Sequence, residues 1–177
     1  MRTRILLTAA ALGIFCGAAA AQNPNDERPA ITARVHGTFV DRAGGGGVLS
    51  GDMTLDRFEL RDATVVAIGR IDGSLADSKG NVLGLVEQEL ELPVRGVDST
   101  CNQLRIDMGA VDADVLQTRV HFDAETAGFD SRDGATPRAL GVLCAAGEAL
   151  RKNPGPGDLV RVLENVAVTL KTRKSPR

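Results

Sequence analysis

Apolar and polar residues alternate along most of this chain. Ile31, Ala33, Val35, Gly37 and Phe39 interleave with Thr32, Arg34, His36 and Thr38, the period of two expected of a strand with one buried face. A second strand runs through VLSGDMTL to Leu60. Within it Met53 and Leu55 hold odd positions and Phe58 and Leu60 even ones, so a β-bulge is predicted near Asp56 and Arg57. Residues 63–76 form a third strand, with Gly69 and Gly73 on the face of Val65, Ile71 and Leu75, where glycine permits sharp curvature. Residues 82–94, 104–108 and 116–124 complete a set of six. Short connections between them, at 44–47 and 77–81 for example, predict antiparallel neighbours. The glycine run at 44–47 continues into strand rather than through Lys-Ser or Lys-Thr into a helix, so it reads as a hairpin connection and not a phosphate cradle.

The period changes after a polar loop at 130–135. Thr136 and Pro137 suit the N-cap and first position of a helix, and Leu140, Leu143, Cys144, Gly147 and Leu150 follow as one apolar stripe. The run NPGPG at 153–157 ends it. Asp158 is expected to cap a last helix with Leu159, Val162, Leu163, Val166 and Leu170 on one side, although Val166, Val168 and Leu170 also alternate as a strand would. The fold class is therefore α+β, mainly β: a curved six-stranded antiparallel meander packed by one or two C-terminal helices in a single domain over 30–172.

The N-terminus changes this picture only by adding an address. Arg2 and Arg4, an apolar run from Ile5 to Phe15 and an alanine-rich tail to Ala21 have the layout of an export signal cleaved near Ala21. Its apolar run is too short to span a bilayer, and Phe15 immediately before Cys16 disfavours lipid attachment there. A loose polar arm at 22–29 and a basic tail at 173–177 flank the domain. No second apolar run is long enough for a transmembrane segment, so the mature protein is expected to be periplasmic or secreted.

Composition excludes several function classes. The 177 residues carry a net charge of -2 and no Trp or Tyr, which removes the basic aromatic surfaces that bind nucleic acid. Phe39, Phe58, Phe122 and Phe129 are too few for the aromatic girdles of an outer-membrane barrel. With Cys16 in the signal, Cys101 and Cys144 remain as a pair in an oxidising compartment, where a disulfide is expected. That bridge would clamp the first helix to the sheet.

Catalytic chemistry finds little support. No G-x-S-x-G occurs and no free cysteine is left. His121 and Asp123 share an outward strand face, and His36 could join them from a neighbouring strand, which makes these three the candidates for a metal-assisted hydrolase. Zinc would require a third ligand placed by the fold, and exposed histidines beside carboxylates are common without a site. Glu87, Glu89 and Glu91 lie two apart on a flat strand, too spread to converge on calcium, and read as a solvated acidic face. No cofactor is expected. Among the inward residues, Phe39, Phe58, Ile71, Leu90, Met108 and Phe122 could wall a cavity for an apolar ligand, against the alternative that the helices fill that space to ordinary interior density.

The segments GDMTLDRFELRDATVVAIGRIDGSLAD, LELPV, CNQLRIDMGAVDADVLQTRVHFD and LGVLCAAGEAL together resemble an uncharacterised family of small exported bacterial β-rich proteins with one strand cysteine and one helix cysteine. The likeness spans about residues 50 to 150, and the cysteine placement is its most specific part. The chain departs from the family at Ala110, Ala113 and Ala127, where the family is richer in leucine. The resemblance implies export and a Cys101–Cys144 bridge and implies no activity. The function expected from these observations is a non-catalytic binding or interaction module of the cell envelope. Its partner would be an apolar small molecule or another envelope protein.

Overall fold

The computed structural model describes residues 30–133 and 135–171. The expected signal, arm and basic tail lie outside the described residues. The strands are β1 (Thr32–Val40), β2 (Gly46–Arg61), β3 (Thr64–Ala76), β4 (Val82–Ser99), β5 (Gln103–Met108), β6 (Val111–Val115), β7 (Thr118–Phe122) and β8 (Glu125–Asp130). A 3-10 turn (Ser131–Asp133) leads to α1 (Pro137–Leu150) and α2 (Pro156–Lys171). The mainly β, α+β class holds, and 158–171 is helix rather than strand.

The described residues form eight strands, not six, and the sheet does not stay open. All pairings are antiparallel. β1 pairs with β2 over its full length, and the order β2-β3-β4-β5-β8-β1 returns to β2, so six strands form a closed ring. The β6–β7 hairpin extends beyond β5 and β8, and β7 pairs with β1 at Gly37 and Thr38. Two interruptions account for the extra strands. At Gly109–Ala110 the chain bends between β5 and β6, and at Asp123–Ala124 it bends between β7 and β8. The short runs 111–115 and 125–130 hold Ala113, Ala127 and Gly128 where a strand signal needs larger apolar residues.

Local chemistry explains the ring. In β1, buried and exposed residues alternate without a break. In β2 the register passes from Leu55 opposite Gly69 to Arg57 opposite Ile68, leaving Asp56 as the extra residue of the expected bulge. Closure of so few strands forces strong coiling. Gly51 and Gly73 face each other across β2 and β3. A Cβ on either would lie within 2.9 Å of the other's Cα, so only glycine allows the two strands to wrap this tightly. The interior is filled by Met53, Leu55, Ile71, Leu92, Ile106, Val120 and Phe122, all at most 1% exposed.

Both helices cover one end of the ring. Thr136 caps α1 as expected, its hydroxyl accepting the Ala139 N–H at 3.2 Å. The inward face of α1 consists of Ala139, Leu143, Ala146 and Gly147. The predicted stripe is thus rotated, with Leu140, Cys144 and Leu150 only half-buried. α2 starts earlier than expected. Its first turn-closing bond runs from the Leu159 N–H to the Gly155 carbonyl, so Asp158 lies in the first turn, paired with Arg161, and is not the cap.

α1 sits on the β4–β5 corner. Cys101 and Cys144 form a disulfide there, the Ser99 hydroxyl donates to the Leu143 carbonyl at 3.2 Å, and Gly147 packs against the Ser99 carbonyl. α2 docks on the bulge of β2. The Glu164 carboxylate accepts the Phe58 N–H, and the Lys171 ammonium donates to the Asp56 carbonyl and carboxylate at 2.6 and 2.9 Å. The bulge thus leaves a backbone donor and a backbone acceptor that the helix supplies with partners. Leu163, Val166 and Leu170 seal this end.

Candidate functional site: the open end of the barrel

Among the described residues, no helix covers the end opposite α1 and α2. Three hairpin turns surround it: 41–45 between β1 and β2, 77–81 between β3 and β4, and 116–117 between β6 and β7. Between them lies a pocket of about 510 Å³. Phe39 and Leu75, both buried, form its apolar floor, and Val40, Leu83 and Leu116 its apolar rim. Asp41, Arg42, Asp77, Lys79, Asn81 and Thr118 supply its polar lining.

The rim is held by two aspartates. Asp41 Oδ1 accepts the N–H groups of Ala43 (2.9 Å) and Gly45 (2.8 Å) within its own turn. Its Oδ2 accepts the N–H and hydroxyl of Ser78 at 3.1 and 2.5 Å, which ties the first turn to the second. These four donors, led by the Ser78 hydroxyl, hold the Asp41 carboxyl down at about 2. Asp77 does the same inside its turn, accepting from Asn81 Nδ2 and from the N–H groups of Asn81 and Lys79, and its carboxyl also lies below the usual range.

The third turn is strained. Leu116 and Gln117 have φ of 48° and 65°, the left-handed pair of a type I′ hairpin that ordinarily takes Asn-Gly. The Leu116 side chain is 50% exposed, and its Cδ1 lies 2.7 Å from where a Cβ on Gly84 would be. It therefore reaches across to β4. The two strands on either side share no ladder there; the Gln88 amide donating to the Asp114 carbonyl at 3.2 Å spans the gap instead.

Pro93 is where the β4–β5 ladder stops, Val94 opposite Met108 being its last pair. The Pro93 carbonyl accepts the Gly109 N–H at 2.8 Å, but proline has no N–H to return.

Of the six residues proposed to wall a cavity, Phe39 lines this pocket. Phe58, Ile71, Leu90, Met108 and Phe122 are packed within the continuous core. The pocket residues Asp41, Arg42, Lys79, Leu83 and Leu116 carry no sequence signal beyond turn composition, because three hairpins distant in sequence meet only when the sheet closes.

The histidines are placed differently from the His-x-Asp expectation. His121 Nδ1 lies 2.8 Å from Asp112 on β6, its register partner, not beside Asp123. Residues two apart along a strand are farther from each other than cross-strand neighbours. His36 Nδ1 lies 3.0 Å from Glu125, and the His36 carbonyl accepts the Asp123 N–H at 3.1 Å. His36 and Asp123 are thus brought together through backbone, while each imidazole has its own carboxylate. They also open on separate hollows, His36 with Ser50 and Asp52, His121 with Asp112 and Arg119. Among the described residues, no three His, Cys, Asp or Glu side chains converge as a metal cluster would.

On the acidic face of β4, Glu87 is exposed, while Glu89 and Glu91 are paired with arginines of β2. Arg57 binds Glu89 and Glu59, and Arg61 binds Glu59 and Glu91. Each guanidinium is held more firmly protonated by its carboxylates, and Glu59 and Glu89 titrate below the usual range because of the arginines hydrogen-bonded to them. On the same outward row Ile68, whose register partners are Arg57 and Glu91, is fully buried. The network covers an apolar residue that would otherwise face water.

Among the described residues, no helix is long and apolar enough to cross a membrane. The chain matches no protein-family model, no curated protein and no solved structure.

Proposed function

We propose that this chain is an exported, non-catalytic binding module that receives a small molecule with an apolar portion at the open end of its barrel. The observation that carries the reading is the asymmetry of the two ends. One is filled by Leu143, Leu163, Val166 and Leu170 and fixed by a disulfide. The other holds a pocket of about 510 Å³ with Phe39 and Leu75 at its floor, within the range of small-molecule sites. Exposed leucine and valine rims are what such a site requires and what a monomer's surface otherwise keeps scattered. Export is supported by the disulfide and by the basic-apolar-alanine N-terminal sequence. The cysteine placement is the reason to group the chain with the small exported β-rich family it resembles.

Native mass spectrometry after exposure to an envelope lipid extract tests the binding claim. A discrete added mass is expected on the protein and not on Leu83→Asp. An apo mass throughout would overturn it. Mass analysis of the protein recovered from the producing cell tests export: a chain starting at Gln22 is expected, and one retaining residues 1–21 in the cytoplasm would refute it.

A further inference from the structure

We infer that the ligand taken at the open end is an anionic amphiphile, a single alkyl chain ending in a carboxylate or comparable anion. This rests on the binding reading given above and specifies its chemistry. Four charged residues line the pocket, Asp41, Arg42, Asp77 and Lys79, and by formal charge they cancel. Their hydrogen bonding does not. Both aspartates turn their oxygens into the turns: Asp41 accepts from Ala43, Gly45 and Ser78, and Asp77 from Lys79 and Asn81. Seven donors of the protein itself thus occupy the two carboxylates.

Arg42 and Lys79, both exposed, have no carboxylate partner among the described residues. Arg57, Arg61, Arg105, Arg119 and Arg132 each sit within 4 Å of a carboxylate; among the described residues of the strands Arg70 and Arg95 share with Arg42 the lack of one, but neither lines the pocket. The pocket therefore presents to an incoming molecule two uncommitted cations above an apolar floor. A headgroup rich in acceptors satisfies them, whereas a cationic headgroup meets two like charges and two carboxylates whose oxygens are already shared with donors of the turns. The alkyl chain lies on Phe39, Leu75, Leu83 and Leu116, the surface that the cations border.

Binding of dodecanoate, dodecanol and dodecyltrimethylammonium, each below its micellar concentration, to the full disulfide-bonded protein tests this by calorimetry. Vesicles of phosphatidylglycerol and of phosphatidylcholine, in a sedimentation assay, separate a free amphiphile from a membrane lipid as the source of the anion. Dodecanoate is expected to bind one per chain, about tenfold or more tighter than dodecanol. The preference is expected to vanish in the Arg42→Gln/Lys79→Gln double variant, whose substitutions lie in exposed turns. Selective retention on phosphatidylglycerol vesicles without dodecanoate binding keeps the anionic head and assigns it to lipid. Equal binding of dodecanol or the ammonium probe would overturn the headgroup inference while leaving the apolar site standing. No binding of any probe, vesicles included, would overturn both.

Discussion

Asp41 and Ser78 lie 37 residues apart and are joined twice, the carboxylate Oδ2 accepting both the N–H and the hydroxyl of Ser78. This is the connection that makes one rim out of two hairpin turns. It is also the reason the Asp41 carboxyl titrates at about 2, against an ordinary 3.8. A folded value below the unfolded one means that Asp41 stabilises the fold fully above the unfolded pKa of 3.8 and loses that contribution as pH falls through about 2. Carbon-detected NMR titration of the Asp41 carboxyl should show a midpoint near the lower value. In Ser78→Ala the midpoint should move up, and the amides of Ala43 and Gly45 should exchange faster. A wild-type midpoint at the ordinary value would show that the rim is not tied in solution.

The disulfide makes a separate, larger contribution. Cys101 and Cys144 are 43 residues apart, and a bridge of that span is worth about 4 kcal/mol on the chain-entropy account. Urea unfolding with and without reductant should show a large drop in midpoint, matched by Cys101→Ser/Cys144→Ser. Alkylation of unreduced protein should add no mass at either cysteine.

Two glycines of α1 should respond in opposite directions to the same change. A Cβ at Gly147 would stand 2.6 Å from the Ser99 carbonyl oxygen, so Gly147→Ala must push the helix off the β4–β5 corner, at a cost of about 1–3 kcal/mol. Gly141 has nothing within 4 Å of that position, and Gly141→Ala should stabilise by about 0.5–1 kcal/mol through helix propensity and the unfolded chain. Thermal unfolding of the two variants checks both signs.

The Leu116–Gln117 turn sets stability against binding. Both residues hold left-handed backbone that Asn and Gly adopt at lower cost. Leu116→Asn/Gln117→Gly should therefore raise stability by about 1 kcal/mol. It should also weaken dodecanoate binding, because the Leu116 side chain is part of the apolar rim. Higher stability with undiminished binding would place the ligand elsewhere.

Much of the fold is legible in residue order because it is decided locally. The phase change between Leu55 and Phe58 marks the bulge at Asp56, Thr136-Pro137 marks the start of α1, and Cys101 with Cys144, one after a strand and one in the apolar helix stripe, mark the bridge. The segment holding Val166, Val168 and Leu170 fits either element by period, and the packing of Leu163, Val166 and Leu170 onto the end of the ring settles it as helix. Closure of the sheet is a different matter. It depends on β1 using both of its edges and on Gly51 meeting Gly73, relationships between residues that no local pattern connects. The partner of His121 follows from the register of β6 with β7, and β6 was too short and too poor in large apolar residues to read. The mouth is less legible still, since Asp41, Lys79 and Leu116 are ordinary turn residues until three hairpins converge.

The described chain enters and leaves at adjoining points. The Ile31 carbonyl accepts the Leu55 N–H at 2.9 Å, and Lys171 reaches the carbonyl of Asp56, the next residue. Anything continuing the polypeptide before residue 30 or after residue 171 starts from the stoppered side. A tether, fusion partner or immobilising tag at either terminus leaves the open mouth pointed away from its anchor, and a short linker joining the two points should yield a viable circular permutant.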